Sequence, residues 1–340
     1  MKRSKARREE VKELLYRVLA ILYTYSENIA VIDHPRNFER RSIDLAVKLR
    51  DGRRILVKVA LDLEDIPRAE IQELLSLSSL LDAAPLIIAE AKAGEPLIEG
   101  VVYEKGGIRA VNVETLDNVL SGREPVYIKV EKSSFILSID GEVMRKRRTE
   151  KNMSLGDLAS LLGVSRRTIY EYEKGTMEPS IEKAEILIKV LGEDIARPID
   201  IFEPKKYARP VQGRFDTVTE KIIGEKLRSL GYTVAHAKRT TLDIAARRGD
   251  REVAIVVEHP SKSSSLIDKV YYLTKLANTV NIKEKYVIVE TRKSERALKK
   301  EGYEPIKAEE FVKILAEEDE RSLHNRSARK REDDSSKGDR

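Results

Sequence analysis

Two aspartates stand at matching places in a local pattern that occurs twice: Ser42-Ile43-Asp44-Leu45-Ala46 and Thr241-Leu242-Asp243-Ile244-Ala245. An aspartate there can hold a divalent cation against a phosphodiester, provided a second carboxylate and a lysine converge on the same point. The lysine then assists the attacking water. Neither half supplies the full set. In the first half Lys58 is present, but the position two residues earlier is Leu56; in the second, Glu258 is followed by His259 and Pro260, with no lysine two residues on. Metal catalysis needs every ligand together. No catalytic residue is assigned, and Asp44 and Asp243 are expected either to be relics or to cap or pair locally, the commoner fate of a single acidic residue beside a strand.

Other chemistry is poorly supplied. The chain has no cysteine, which excludes a disulfide framework, a thiolate zinc site and a cysteine nucleophile. Its histidines, His34, His236, His259 and His324, show no ligand spacing, and there is no Gly-rich phosphate loop. Neither a metal site nor a cofactor is therefore expected. Charged residues make up 36% of the sequence but the formal net charge is only +6, so any basic surface must come from local clustering. The dominance of Lys, Arg and Glu, without tryptophan, is a balance seen in proteins from hot environments. The most apolar stretch, Leu74 to Ala91, is broken by serines, Asp82 and Pro85, short of the roughly 20 apolar residues of a membrane span. The N-terminal basic residues precede Lys12, Glu13 and Arg17, so no signal peptide is visible and a cytoplasmic protein is expected.

The most informative residues lie between 154 and 175. Ser154 is placed to cap a helix, with Asp157 at the capping-box position. Ala159 gives a second helix close access, Gly163 supplies a positive φ for a turn, and Val164 and Ile169 present apolar side chains to the joint. Ser165 can cap the second helix and Gly175 can end it. Pro179-Ser180 opens another helix, with an apolar stripe of Ile181, Ala184, Leu187, Ile188 and Leu191 and a stop at Gly192. These signals agree on one small helical bundle.

This segment, from about Ser138 to Phe202, resembles the Cro and phage-repressor (XRE) class of helix-turn-helix domains. The resemblance implies a lambda-repressor-like fold whose recognition helix, Ser165 to Lys174, enters the major groove of double-stranded DNA. Carried over by position, the base-facing candidates are Arg166, Arg167, Tyr170 and Glu171, while Ser165 and Thr168 are better suited to phosphates. Lys174 belongs to the same set. Where the class often has a backbone-contacting glutamine opening the first helix of the motif, this chain has Leu155. Arg148 and Glu173 match a pair that in the class joins the preceding helix to the end of the recognition helix. Arg145, Lys146, Arg147 and Arg148 crowd that preceding helix, to meet phosphates or simply to form a solvated face.

The elements around the motif follow from periodicity. Val11, Leu14, Leu15, Val18, Leu19 and Leu22 share one helical face. Strand-like runs at Ser42 to Leu49 and Ile55 to Leu61 flank the Asp51-Gly52 turn; a helix at Arg68 to Leu81 and a strand at Leu86 to Ala91 follow. The same order returns with a helix at Thr219 to Leu230, strands at Thr241 to Arg247 and Val253 to Glu258, a helix at Leu266 to Val280 and a strand at Tyr286 to Glu290. Val111, Leu116 and Leu120 similarly match Ile306, Phe311 and Leu315. A diverged internal duplication is the reading, though unrelated α/β domains could share such patterns.

Each half resembles the restriction-endonuclease-like fold in its element order. The expected fold class is α/β plus all-α: two degenerate nuclease-like α/β domains, 1–130 and 203–316, flank a helix-turn-helix domain, 131–202, and a charged, disordered tail covers 317–340. The whole arrangement resembles the archaeal family of HTH-type transcriptional regulatory proteins. That implies a non-enzymatic transcriptional regulator, binding duplex DNA as a homodimer, with any effector unidentified. Two alternatives remain open: a DNA nuclease or resolvase-like enzyme, and a coactivator that binds protein rather than DNA.

Overall fold

A computed structural model describes residues 2–35, 40–131, 134–203, 214–259 and 266–317. By packing, the chain divides into two compact units. The first comprises 1–27, 57–71 and 84–206, the second 28–56, 72–83 and 207–340.

The first helix, α1 (Lys2–Tyr25), buries Leu14, Val18 and Leu22, the expected face, and exposes Tyr16 and Tyr23. The strands of the first sheet are β1 (Ser26–Val31), β2 (Leu45–Leu49), β3 (Arg54–Asp62), β4 (Ala84–Lys92), β5 (Glu95–Pro96), β6 (Val101–Lys105), β7 (Ile108–Val111), β8 (Ile128–Glu131) and β9 (Ser134–Leu137). Their order is β1-β2-β3-β4-β7-β6-β8-β9, with β5 beside β4. Helix α2 (Arg68–Leu80) connects β3 to β4, and α3 (Val113–Ser121) follows β7, capped by the Asn112 side chain on the Thr115 amide. β4 and β7 run parallel, and both are buried.

The helices of the middle segment are α4 (Gly141–Glu150), α5 (Leu155–Leu162), α6 (Arg166–Glu173) and α7 (Ile181–Leu191). They close on Ile139, Met144, Leu158, Leu162, Ile169, Tyr172, Leu187, Leu191 and Ile195. The seam expected between 130 and 131 falls inside the β8–β9 hairpin, whose strands pair from Ile128↔Leu137 to Glu131↔Ser134. Four-residue strands carry too little alternation to be read from sequence.

The second half contains α8 (Val218–Ser229), β10 (Thr233–His236), β11 (Ile244–Arg248), β12 (Arg251–Val257), α9 (Leu266–Thr279), β13 (Glu284–Val289), α10 (Arg292–Lys300) and β14 (Ile306–Lys307). Its sheet order is β10-β11-β12-β13-β14, antiparallel for the first three strands and parallel for the last two pairings. The run β1-β2-β3-β4-β7 has a similar neighbour order, but its last step differs: β4 reaches β7 through β5 and β6, whereas β13 reaches β14 through α10. Ile223, Leu227, Ile255, Val257, Ile288 and Phe311 fill its core. Helix α10 had no counterpart in the sequence reading, because Leu298 is the one large apolar residue it buries. The charged tail, beyond Glu317, lies outside the described residues, and so does His324.

Candidate nucleic-acid interface

The helix-turn-helix is built by the local chemistry its sequence carries. Ser154 Oγ accepts the Asp157 amide at 3.1 Å while the Asp157 carboxylate accepts the Ser154 amide at 2.7 Å, a complete capping box that starts α5. These hydrogen bonds hold the Asp157 carboxyl below the usual carboxylate range, with the nearby Arg166 charge adding to the effect. Gly163 ends α5 at φ 61°, where a side chain would be strained. Ser165 caps α6 through the Thr168 amide at 3.1 Å, and its hydroxyl lies 3.0 Å from that of Thr168. The helix itself spans Arg166–Glu173, with Ser165 and Lys174 as its caps, so the expected Ser165 to Lys174 is the helix with both ends included.

One face of α6 is fixed in the core: Ile169 is fully buried and Tyr172 nearly so. The other presents Arg166, Arg167, Tyr170 and Lys174 to solvent, with Glu171 half-buried beside them. The two arginines differ in setting. A side chain at Gly156 would begin 3.0 Å from the Arg166 Nε, so this guanidinium lies back over the first turn of α5. The Arg167 side chain is 87% exposed, with Nε 3.8 Å from Glu171 Oε1. Glu171 is held in turn by the Thr176 hydroxyl, and the Lys174 ammonium stands 4.9 Å from the Tyr170 ring centroid. The Tyr170 hydroxyl beside it raises the pKa of Lys174. Leu155 turns partly inward and packs against the bundle core, as Val164 does. Ala159 is buried at the helix crossing, and Gly175 adopts φ 67° after the C-cap.

The frame behind this face is an ion pair. Arg148 Nε and Nη2 donate to the two Glu173 carboxylate oxygens at 2.6 and 3.2 Å, and Nη1 donates to the Met153 carbonyl at 2.7 Å. The carboxylate hydrogen bonds raise the pKa of Arg148 above its ordinary value. Gly141 opens α4 directly against the end of α6: an added Cβ would fall 2.5 Å from the Glu173 carbonyl oxygen. Of the other basic residues on α4, Arg147 is bound to Glu150 and Asp194 at 2.9 and 2.7 Å, whereas Arg145 and Lys146 are exposed.

The acidic residues considered for metal binding have local partners. Asp44 is buried, with Arg41 Nη1 4.0 Å from its carboxylate. Lys58 faces Glu70 at 3.4 Å, both almost fully buried. Asp243 accepts the Val257 amide at 2.8 Å and pairs with the ammonium of Lys269. The lysine in the second half thus arrives from helix α9 rather than from the strand, which no strand-based spacing could reveal. Glu258 uses both carboxylate oxygens on residues 290 to 294. Oε2 accepts the amides of Glu290 and Thr291 at 2.7 and 3.0 Å, and Oε1 accepts the hydroxyls of Thr291 and Ser294 at 2.9 and 2.6 Å. Burial alone would push its carboxyl up; the hydrogen bonds outweigh that and hold it below the usual range. Of the histidines, His34 is half-buried, His236 lies 3.0 Å from Glu220, and His259 sits at the end of the described segment. Among the described residues no group of three or more His, Cys, Asp or Glu is placed to hold a metal ion. Among the same residues no helix is long and apolar enough to cross a membrane.

Comparison with known proteins finds the same two kinds of domain. Residues 11–126 match the model of a PD-(D/E)XK superfamily domain, and 144–197 match a helix-turn-helix model. The chain is 46% identical over 245 residues to a protein of Aeropyrum pernix, covering 72% of this chain and 74% of that one. A Methanothermobacter thermautotrophicus protein is 32% identical over 291 residues, 82% of this chain and 89% of its own length. One from Sulfolobus acidocaldarius is 30% identical over 298 residues, 85% and 94% respectively. All three bear the name "Putative HTH-type transcriptional regulatory protein". No solved structure matches. A nuclease-type α/β domain followed by a helix-turn-helix, in a chain this similar over most of its length to those three, makes it a member of the archaeal HTH-type transcriptional regulatory protein family.

Proposed function

We propose that this protein regulates transcription by binding double-stranded DNA, with α6 in the major groove and without cleaving the DNA. The observation that carries the reading is the two-sided character of α6. Ile169 and Tyr172 anchor it in the bundle, while Arg166, Arg167, Tyr170 and Lys174 stand exposed together on the other side. Arg167, extended into solvent, is suited to bidentate bonds with guanine O6 and N7. Arg166, lying over the start of α5, is placed for a phosphate, together with Ser165 and Thr168. Glu171, fixed by Thr176, can accept from a cytosine N4. Leu155, packed partly against the core, has no side-chain group to hydrogen-bond a phosphate, so the affinity must come from the other positions.

A single recognition helix reads few base pairs, and proteins of this class double their contacts by two-fold symmetry. The protein is therefore expected to bind as a homodimer at a pseudo-palindrome whose half-sites lie about one helical turn, or a multiple, apart. The nuclease-like halves then act as structural or sensing domains, because Asp243, Glu258 and Lys58 are each committed to partners inside the protein. The test is selection of duplex from a random pool by the full chain, followed by footprinting. Enrichment of a divided, palindromic site that is lost in the Arg166→Ala, Arg167→Ala double variant supports the reading. Selection of the same site by that variant refutes it.

A further inference from the structure

The sequence as a whole balances 64 basic residues against 58 acidic ones, but α10 does not. In Arg292-Lys-Ser-Glu-Arg-Ala-Leu-Lys-Lys300 five of nine residues are basic and one is acidic. At about 100° per residue, Arg292, Lys293, Arg296, Lys299 and Lys300 fall within an arc of roughly 120°. Ser294 and Leu298, the two buried residues, lie on the opposite side. All five cations are exposed. Only Lys299 has an ion pair among the described residues, with Glu295 at 2.7 Å. On α4, by comparison, Arg147 and Arg148 are paired with Asp194, Glu150 and Glu173, while Arg145 and Lys146 are exposed.

Helix electrostatics explain half of this pattern and not the other half. Lys299 and Lys300 stand in the last turn, where cations suit the helix dipole. Arg292 and Lys293 open the helix, where positive charge opposes it. The structure supplies a counter-charge for that end: the buried Glu258 carboxylate accepts the Glu290 and Thr291 amides and the Thr291 and Ser294 hydroxyls. It lies beneath the helix start and forms no ion pair with either cation in the described structure. A carboxylate at the strand end where a nuclease would hold its metal here anchors the first turn of a cationic helix.

We propose that the exposed face of α10 is a second nucleic-acid contact, a sequence-independent clamp on the phosphate backbone of duplex DNA. It rests on the reading that the chain binds duplex DNA, and adds a surface far in sequence from the helix-turn-helix. The cations form a stripe roughly 13 Å long, without aromatic or amide side chains to read base edges, so it grips phosphates and contributes affinity rather than specificity.

The experiment is titration of the full chain with random-sequence duplex over a range of salt concentrations. Each phosphate neutralised contributes about 0.9 to the slope of log K against log salt. The Arg292→Gln, Arg296→Gln, Lys299→Gln, Lys300→Gln variant should lose about two or more units of slope and bind at least tenfold more weakly at low salt. Its melting temperature should change little, because losing the exposed Lys299–Glu295 pair and the last-turn cations is offset by removing Arg292 from the helix start. Arg296→Glu alone should act in the same direction. Unchanged slopes in both variants overturn the proposal, as does a loss of binding to phosphatidylserine vesicles with the duplex slope intact. The Arg166→Ala, Arg167→Ala variant, measured on selected duplex, separates this test from that of the recognition helix: wild-type behaviour there condemns the α6 reading only. Wild-type protein that binds no duplex overturns both.

Discussion

Replacing Arg148 by alanine should loosen the helix-turn-helix more than any other single charge removal on α4. Arg148 makes two hydrogen bonds to Glu173 and one to the Met153 carbonyl, and the two side chains are 14% and 6% exposed. Truncation leaves a carboxylate with little access to water and an orphan carbonyl just before the α5 cap. Breaking such a shielded pair costs about 3 to 5 kcal/mol, and partial solvent access at Arg148 points to the lower end. A loss of about 3 kcal/mol raises the opening constant of α4 and α6 by roughly 100-fold, since each 1.4 kcal/mol is tenfold. Amide hydrogen exchange resolved by segment in the full chain reads this directly. Arg147→Ala is the control: its pairs with Glu150 and Asp194 are on the surface, so exchange should stay near wild type. Adding Glu173→Gln to Arg148→Ala should recover part of the protection, because the stranded group no longer carries a charge. Equal effects from Arg148→Ala and Arg147→Ala, or no recovery on adding Glu173→Gln, would refute the reasoning.

Other outcomes follow from the same geometry. Arg167→Ala should lose about 1 to 3 kcal/mol of binding to selected DNA and relax preference at one base pair, while Arg166→Ala should weaken all sequences alike and lower the salt slope by about one unit. Gly156→Ala, whose new methyl meets the flexible end of Arg166, should preserve the fold and reproduce the Arg166→Ala binding curve. Incubation with Mg²⁺ or Mn²⁺ should give no DNA cleavage; turnover abolished by Asp44→Ala or Asp243→Ala would overturn the assignment. The imidazole of His34 is lowered to about 4, first by burial and then by the charge of Lys269. The folded state therefore prefers neutral His34, so its contribution to stability is intact above pH 6.5 and is lost as pH falls toward 4. Melting curves across that interval should show a steeper decline in the wild type than in His34→Gln, and parallel declines would contradict the assignment.

The helix-turn-helix was legible in the sequence because each of its determinants acts within a few residues. Ser154 and Asp157 close their capping box across three positions, Gly163 meets a local demand for positive φ, and Ala159 and Ile169 lie in the buried face, which the structure completes with Leu158, Leu162 and Tyr172. The repeated α/β order was legible for a similar reason, through the periodicity of its longer helices and strands. The strands β1, β6 to β9 and β10 were not; β1, β8 and β9 leave most of their residues exposed or half-buried and so lack the apolar run that marks β2, β11 and β13.

Only the tertiary structure decided where the acidic residues point. Nothing near Glu258 in sequence announces that its carboxylate faces residues 290 to 294, or that Lys269 reaches Asp243 from a helix, or that Lys58 faces Glu70. The same holds for α10, whose cations gather on one face only once Ser294 and Leu298 are known to be buried on the other. The physical reason is range. Caps, turns and amphipathic spacing are set by the chain's own neighbours, whereas a buried charge takes whichever partner the packing brings within hydrogen-bond distance, and that partner can lie anywhere in the sequence.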